Sequence, residues 1–194
     1  IANEHKLPVV VRGAGTNLTG STIPDGGIVL DVSAMNKILS LDEETLTVTV
    51  QPGVLLKDLI AYVEARGYLY APDPAEKNAS IGGNVSTNAG GMRAVKYGVT
   101  RNYVLALDLY KIDGTKVHLG ATTYKYATGL NLQQLVVGSE GSLGVITKIV
   151  LKLLPLPQFT LNAVIAYDSL ALGIKNVNAI FNAHLDPTAI EFVE

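Results

Sequence analysis

An α+β fold is what this sequence predicts: a smaller, mainly parallel sheet near the N-terminus, packed on an antiparallel sheet with flanking helices. Three observations carry the expectation. Two short β-branched runs, residues 8–11 and 28–31, are separated by a stretch too rich in glycine and proline to hold a crossover helix. Two pairs of alternating apolar segments, 38–41 with 46–50 and 103–112 with 116–119, are each joined by a short polar turn, as antiparallel hairpins are. One segment, 54–66, repeats its apolar residues at helical spacing.

Composition narrows the function classes. Apolar residues make up 48% of the 194 and the mean hydropathy is +0.29, enough for a real core. No run approaches the ~18 apolar residues of a membrane span, and no secretory leader pattern is seen. A net charge of −2 without any basic block argues against a nucleic-acid partner. The absence of cysteine excludes disulfides, a thiol nucleophile, iron–sulfur ligation and cysteinyl cofactor attachment. His5, His118 and His184 are far apart and in no ligand spacing, so no metal site is expected.

In chain order, residues 1–8 read as the last turn of a helix running into the strand 8–11. Arg12-Gly13-Ala14-Gly15-Thr16-Asn17-Leu18-Thr19-Gly20 follows, a loop whose backbone N–H groups suit an anion. Arg12 either adds charge there or makes a structural pair. Gly13-x-Gly15 after a strand, with Asp31 ending the next strand, mimics a dinucleotide fingerprint. That fingerprint needs a helix between its strands, and Gly20, Pro24, Gly26 and Gly27 leave no room for one. A Rossmann site is therefore rejected: a loop, not a helix N-terminus, is expected to hold any phosphate. Residues 42–45 turn the first hairpin, Gln51-Pro52-Gly53 stops its second strand, and Gly67 ends the helix 54–66. Asp113-Gly114 turns the second hairpin. Gly138, Gly141 and Gly144 precede a strand at 145–153, ended by Pro155 and Pro157. Glu140 among them is either a turn residue or a hydrogen-bond acceptor for a ligand. A strand at 159–167, a helix at 169–183 and a strand at 188–193 complete the expectation. The chain thus begins in a helix and ends in a strand, as a piece of a longer enzyme would.

The stretch 72–98, PDPAEKNASIGGNVSTNAGGMRAVKYG, organises the rest. A loop this long inside a compact domain is functional or disordered, and its low charge and lack of bias argue against disorder. Gly82-Gly83 and Gly90-Gly91 let backbone pass close to a flat ligand. Ser80, Asn84, Ser86, Thr87 and Asn88 supply uncharged hydrogen-bonding groups. It reads as the lining of a cofactor site or as a glycine-rich structural Ω-loop.

Three segments in this order and spacing, RGAGTNLTG (12–20), PDP…SIGGNVSTNAGG…KYG (72–98) and VGSEGSLGVIT (137–147), resemble the FAD-binding domain of the vanillyl-alcohol-oxidase/PCMH-type flavoproteins. The nearest branch is the bacterial glycolate oxidase FAD-linked subunit and D-lactate dehydrogenase group. The resemblance implies a PCMH-type fold of two α/β subdomains with FAD between them, truncated at both ends. It implies that 1–154 is the FAD-binding domain, N-terminally incomplete, and that 155–194 opens a substrate or cap domain. Gly13 to Thr19, through Ala14, Gly15, Thr16, Asn17 and Leu18 and with Arg12 beside them, would cradle the pyrophosphate. Pro72, Ser80, Gly82, Gly83, Thr87, Asn88, Gly90 and Gly91 would line the flavin, and Tyr97-Gly98 would close that loop; Tyr97 is equally a core residue. Glu140, Gly141, Gly144, Val145 and Ile146 would hold the ribose and adenine side.

Relatives with covalent flavin carry His where Thr16 stands, so non-covalent FAD is expected. The family's catalytic groups lie in the half that follows, so no catalytic residue is expected here and this piece is expected to be inactive alone. The implied activity of the whole is oxidation of a small 2-hydroxy acid by hydride transfer to flavin. A non-catalytic flavin-binding subunit or fragment of a multi-subunit complex is the alternative. Implied partners are further subunits or an electron-transfer protein, in the cytoplasm or held at a membrane through those partners.

Overall fold

The computed structural model describes residues 1–193. The chain opens on one turn of helix, α1 (Ala2–His5), stopped by Lys6 in the left-handed conformation, and enters β1 (Val9–Arg12). β1 pairs in parallel with β2 (Ile28–Asp31), Val9 opposite Ile28 and Arg12 opposite Asp31. The connection between them contains no helix.

β3 (Ile38–Asp42) and β4 (Thr47–Val50) form the first hairpin. Asp42 Oδ1 turns it by accepting the N–H groups of Glu44 and Thr45 at 2.9 and 3.1 Å. Helix α2 (Leu56–Glu64) follows, with Leu56, Leu59 and Val63 buried on one face, and β5 (Tyr68–Leu69) comes after it.

The stretch 72–98 is not one loop. It contains α3 (Ile81–Thr87) and the short turn α4 (Ala94–Tyr97). Ser80 caps α3, its Oγ accepting the Gly83 N–H at 3.2 Å, and Asn88 ends it with φ 51. Two glycines in a first turn weaken a helix. Here Gly82 is required by packing, because a Cβ on it would sit 2.6 Å from Pro52 Cβ. Gly82 and Gly83 therefore lie in a helix, with Gly82 at its close approach to Pro52.

β6 (Val104–Tyr110) and β7 (Lys116–Gly120) make the second hairpin. A short helical turn, α5 (Gln133–Val136), precedes β8 (Val145–Lys152). The main sheet runs β3-β4-β8-β6-β7, antiparallel throughout. β9 (Leu154–Pro155) pairs with β5, so Pro155 sits in a two-residue edge rather than beyond the last strand. Val48, Val50, Leu107, Ile149 and Leu151 from the sheet join α2 and the Ile81 and Val85 side chains of α3 in one buried cluster.

Beyond β9 the expected helix is present as α6 (Leu170–Asn182), capped by Ser169 Oγ accepting Leu172 N–H at 3.3 Å. The strands expected at 159–167 and 188–193 do not form. A strand is stabilised by its ladder, and neither segment finds a pairing partner among the described residues.

Candidate functional site

A cavity of about 480 Å³ lies where the loop after β1, the helix α3 and the loop before β8 meet, within the size range of small-molecule sites. Ser80 ties the first two together. Its Oγ accepts the Ala14 N–H at 3.3 Å as well as the Gly83 N–H that caps α3. Gly13 has to be glycine for this, since a Cβ there would collide with Ser80 Oγ.

The loop holds its own shape through Asn17. Asn17 Nδ2 donates to Thr22 Oγ1 at 3.0 Å, and Asn17 Oδ1 accepts the Ser21 N–H at 3.1 Å. The N–H groups of Gly15, Thr16, Asn17, Leu18 and Thr19 have no acceptor among the described residues. The start of α3 is the opposite case. Ile81 N–H donates to Val54 O, Gly82 N–H to Pro52 O and Asn84 N–H to Ser80 O. That helix end has no donors left for an anion, whereas the loop has a run of them.

The third wall hangs on the far half of α3. Gly138 N–H donates to Val85 O at 3.0 Å and Glu140 N–H to Ser86 O at 2.9 Å. Glu140 itself takes a left-handed conformation, φ 52. Gly144 lies against β6, where a Cβ would come within 2.5 Å of Tyr110 O.

Of the residues singled out from sequence, Gly13, Ala14, Gly15, Thr16, Asn17, Leu18, Thr19, Ser80, Gly82, Gly83, Thr87, Glu140, Gly141, Gly144 and Ile146 line this cavity. Arg12, Pro72, Asn88, Gly90, Gly91, Tyr97, Gly98 and Val145 stand outside its lining. Their surroundings account for them. Arg12 pairs with Asp31 at 3.4 Å and folds back over Gly15, so a Cβ there would meet its Nε at 2.9 Å. Hydrogen bonds from Ser33, and then Arg12, hold the Asp31 carboxyl below its ordinary range. Asn88 Oδ1 accepts the Arg101 N–H at 2.9 Å. Gly91 packs on the Asp73 carbonyl and Gly90 on Val99. Gly98 turns with φ 77, and Tyr97 packs half-buried on the core. Pro72 is buried, and Val145 is the first residue of β8.

Asn84 and Ser86, read from sequence as hydrogen-bonding groups of the stretch 72–98, line it too, and so do residues not singled out: Val11, Ser21, Thr22, Val32, Pro52, Pro74, Glu76, Ala79 and Ala89. Once Ser80 is read as a helix cap, Gly83, Ser86 and Thr87 fall at helical spacing on one face. Pro52 and Val32 reach the site only through tertiary packing.

Glu76 and Glu140 are the only ionisable side chains in the lining, and no Lys, Arg or His is among them. An anionic group placed there would meet backbone dipoles rather than cations. Among the described residues, no group of three His, Asp or Glu is placed to hold a metal.

The sequence profile of a family described as FAD binding domain matches residues 1–120. The chain is 48% identical over 195 residues to D-lactate dehydrogenase of Anaerostipes hadrus, spanning all of this chain and 41% of that protein. It is 43% identical over 196 residues to glycolate oxidase subunit GlcD of Bacillus subtilis, spanning 42% of it. The chain thus spans about two fifths of the length of these relatives. Among solved structures, alkyldihydroxyacetonephosphate synthase superposes with a TM-score of 0.81 at 24% identity, over 97% of this chain and 35% of that one, a likeness of fold.

Proposed function

The chain belongs to the FAD-binding domain family, and from that premise we propose that it is the cofactor-holding part of a longer oxidoreductase that oxidises a 2-hydroxy acid of the glycolate or D-lactate type. The observation that carries the reading is the run of unspent N–H groups from Gly15 to Thr19, set against the glycine face of α3 across one cavity. FAD fits that donor set. Its diphosphate needs several converging donors, and the loop has them without a cation. Its flat ring needs close, uncharged walls, and Gly82 and Gly83 sit in such a wall. In this reading Gly13 to Thr19 hold the phosphates, Ser80 fixes loop to helix, and Glu140 with Gly141 receives the ribose. The chemistry that FAD would supply there is two-electron oxidation. This chain's residues bind, orient and exclude water; no base for the substrate is assigned among them.

The lining contains neither His nor Cys, which supports non-covalent FAD. Residues 1–154 are then the cofactor domain, and 155–194 open the substrate domain. In support, α6 carries no buried residue, and Leu161 and Val164 stand 91% and 100% exposed. The names of the relatives, one of them a subunit, support a 2-hydroxy-acid substrate and further subunits or an electron-transfer protein as partners. No described helix is long and apolar enough to cross a membrane; a cytoplasmic place is part of the proposal.

The test is a visible absorption spectrum of the full-length protein after incubation with FAD and desalting. Retained flavin bands, released into the supernatant on acid precipitation, are expected. A colourless protein sinks the cofactor assignment, and flavin that stays with the precipitate sinks the non-covalent one. Anaerobic addition of D-lactate or glycolate is expected to bleach the bands; bleaching by neither removes the substrate class.

A further inference from the structure

The third wall of the cavity does not hold its own shape. Four of the seven residues from Gly138 to Gly144 take positive φ, and one of them, Glu140 at φ 52, is not glycine. That conformation is unfavourable for the segment alone. Within it, Ser142 closes one turn, its N–H and Oγ both donating to Ser139 O. The rest of the chain holds it from two sides. Val85 O and Ser86 O of α3 take the Gly138 and Glu140 N–H groups, and Arg101 Nη2 donates to Val137 O at 2.9 Å. Among the described residues, Arg101 is the one side chain from elsewhere in the chain that bonds to residues 137–144.

Arg101 is itself fixed at its base. Its N–H donates to Oδ1 of Asn88, the residue that ends α3, at 2.9 Å. Its carbonyl accepts from Gln134 Nε2 of α5 at 3.2 Å. Thr100 before it is anchored on Ala89 O through both Oγ1 and N–H. Unlike Arg12 and Arg93, Arg101 has no carboxylate partner among the described residues. Its charge strengthens a bond to a backbone carbonyl instead. Arg101 thus spans from the end of α3 to the last carbonyl before the wall. It is not in the lining, so it acts on a ligand only through what it holds.

We infer that Arg101 is a positioning residue that sets a preference for a dinucleotide flavin over a mononucleotide one, by clamping the wall that carries Glu140 and Gly141. This rests on the FAD reading above, in which those two residues receive the ribose. FMN has the same ring and a phosphate but no adenylate half, so it makes no use of that wall. A firm wall therefore favours FAD alone. Lost stability or lost positive charge, by contrast, would weaken both flavins.

The experiment uses the full-length protein, wild type and Arg101→Met, which keeps the length of the stem and removes the donors. Each apoprotein is titrated with FAD and with FMN by flavin-fluorescence quenching. Amide hydrogen exchange is followed in the same apoproteins. The expected result is a Kd for FAD raised roughly tenfold and a Kd for FMN within twofold of wild type. Exchange at the Gly138 and Glu140 amides is expected to quicken, with the Leu59 amide of α2 unchanged. A Kd for FAD within twofold of wild type overturns the assignment. So does an equal rise for both flavins, or unchanged exchange at both wall amides. Where FMN binds too weakly to titrate, ADP replaces it as a competitor of FAD and its Kd must rise with that of FAD; an ADP Kd within twofold of wild type overturns the assignment. Should Arg101→Met not fold, Arg101→Ala decides by the same criteria, and failure of both to fold makes the arginine structural and overturns its assignment. A wild-type apoprotein that binds no FAD overturns the cofactor reading and the preference with it, while the exchange rates still report whether Arg101 holds the wall.

Discussion

The main sheet and the N-terminal parallel pair are written in the same β-branched vocabulary, yet only one of them is buried. Val48, Val50, Leu107, Ile149 and Leu151 are fully buried in the five-stranded sheet. No residue of β1 or β2 is buried, and Val29 and Leu30 are 42% and 41% exposed. Parallel strands are ordinarily covered on both faces. The difference teaches that the two parts do different work for the cavity. The sheet with α2 and α3 makes a self-sufficient body, which seats α3 against Pro52 and fixes one wall. The parallel pair contributes little core of its own; it delivers the loop 13–19, in which the N–H groups of Gly15 to Thr19 are unspent because no neighbouring strand or helix consumes them.

Substitutions on the two sides sharpen or break this contrast. The largest stability effect is expected at Leu59→Ala, in a side chain of zero exposure on α2. It should cost about 3 kcal/mol, by lost burial and the cavity left behind, measured by urea unfolding of the chain. A cost below about 1 kcal/mol would undo the claim of a tightly closed body.

Next comes Asp108, on β6 opposite His118 and Lys148. Burial acts to raise its pKa, but hydrogen bonds from His118, Lys148 and Lys116 outweigh that and hold it at about 2. His118 Nδ1 lies 2.6 Å and Lys148 Nζ 2.9 Å from its carboxylate. A folded-state pKa below the ordinary 3.8 contributes stability that is present above about pH 4 and lost as pH falls toward 2. Asp108→Asn should therefore cost roughly 2 kcal/mol at pH 7, and the gap from wild type should narrow on acidification. Parallel unfolding curves at pH 7 and pH 3 read this directly; an unchanged gap contradicts it.

On the other side of the contrast, Gly15→Ala places a Cβ at φ 71 against the Arg12 guanidinium. About 1 kcal/mol of stability is expected to go, while FAD retention after desalting falls much further, because the loop carries the donors and little of the core. Equal loss of stability and retention would mean the loop is structural. The smallest effect is expected at Val29→Thr, within about 0.5 kcal/mol. A cost there approaching that of Leu59→Ala would show that the parallel pair is part of the closed core after all.

Much of this architecture was legible from local rules. The antiparallel hairpins follow from alternation and polar turns, α2 from its apolar spacing, and the absence of a helix between β1 and β2 from Gly20, Pro24, Gly26 and Gly27. Glycine and hydroxyl content mark the loop 13–19 as a donor loop, and it lines the cavity with the N–H groups of Gly15 to Thr19 free. Illegible from the same rules are α3, whose paired glycines read as loop, and the lack of a pairing partner for the segments 159–167 and 188–193.

Features whose causes lie within a few residues are written locally: turn chemistry, helix-breaking residues, apolar period and the glycines of the first loop. Packing across the chain settles that Gly82 lies on Pro52, that the first N–H groups of α3 are spent on Val54 and Pro52 carbonyls, and that Ser80 Oγ bridges the Ala14 and Gly83 N–H groups. The reason is the reach of the interactions. A hydrogen bond within a turn is readable from its own neighbours. Whether a distant carbonyl takes a donor, or a distant strand offers an edge, depends on where the rest of the chain has already packed.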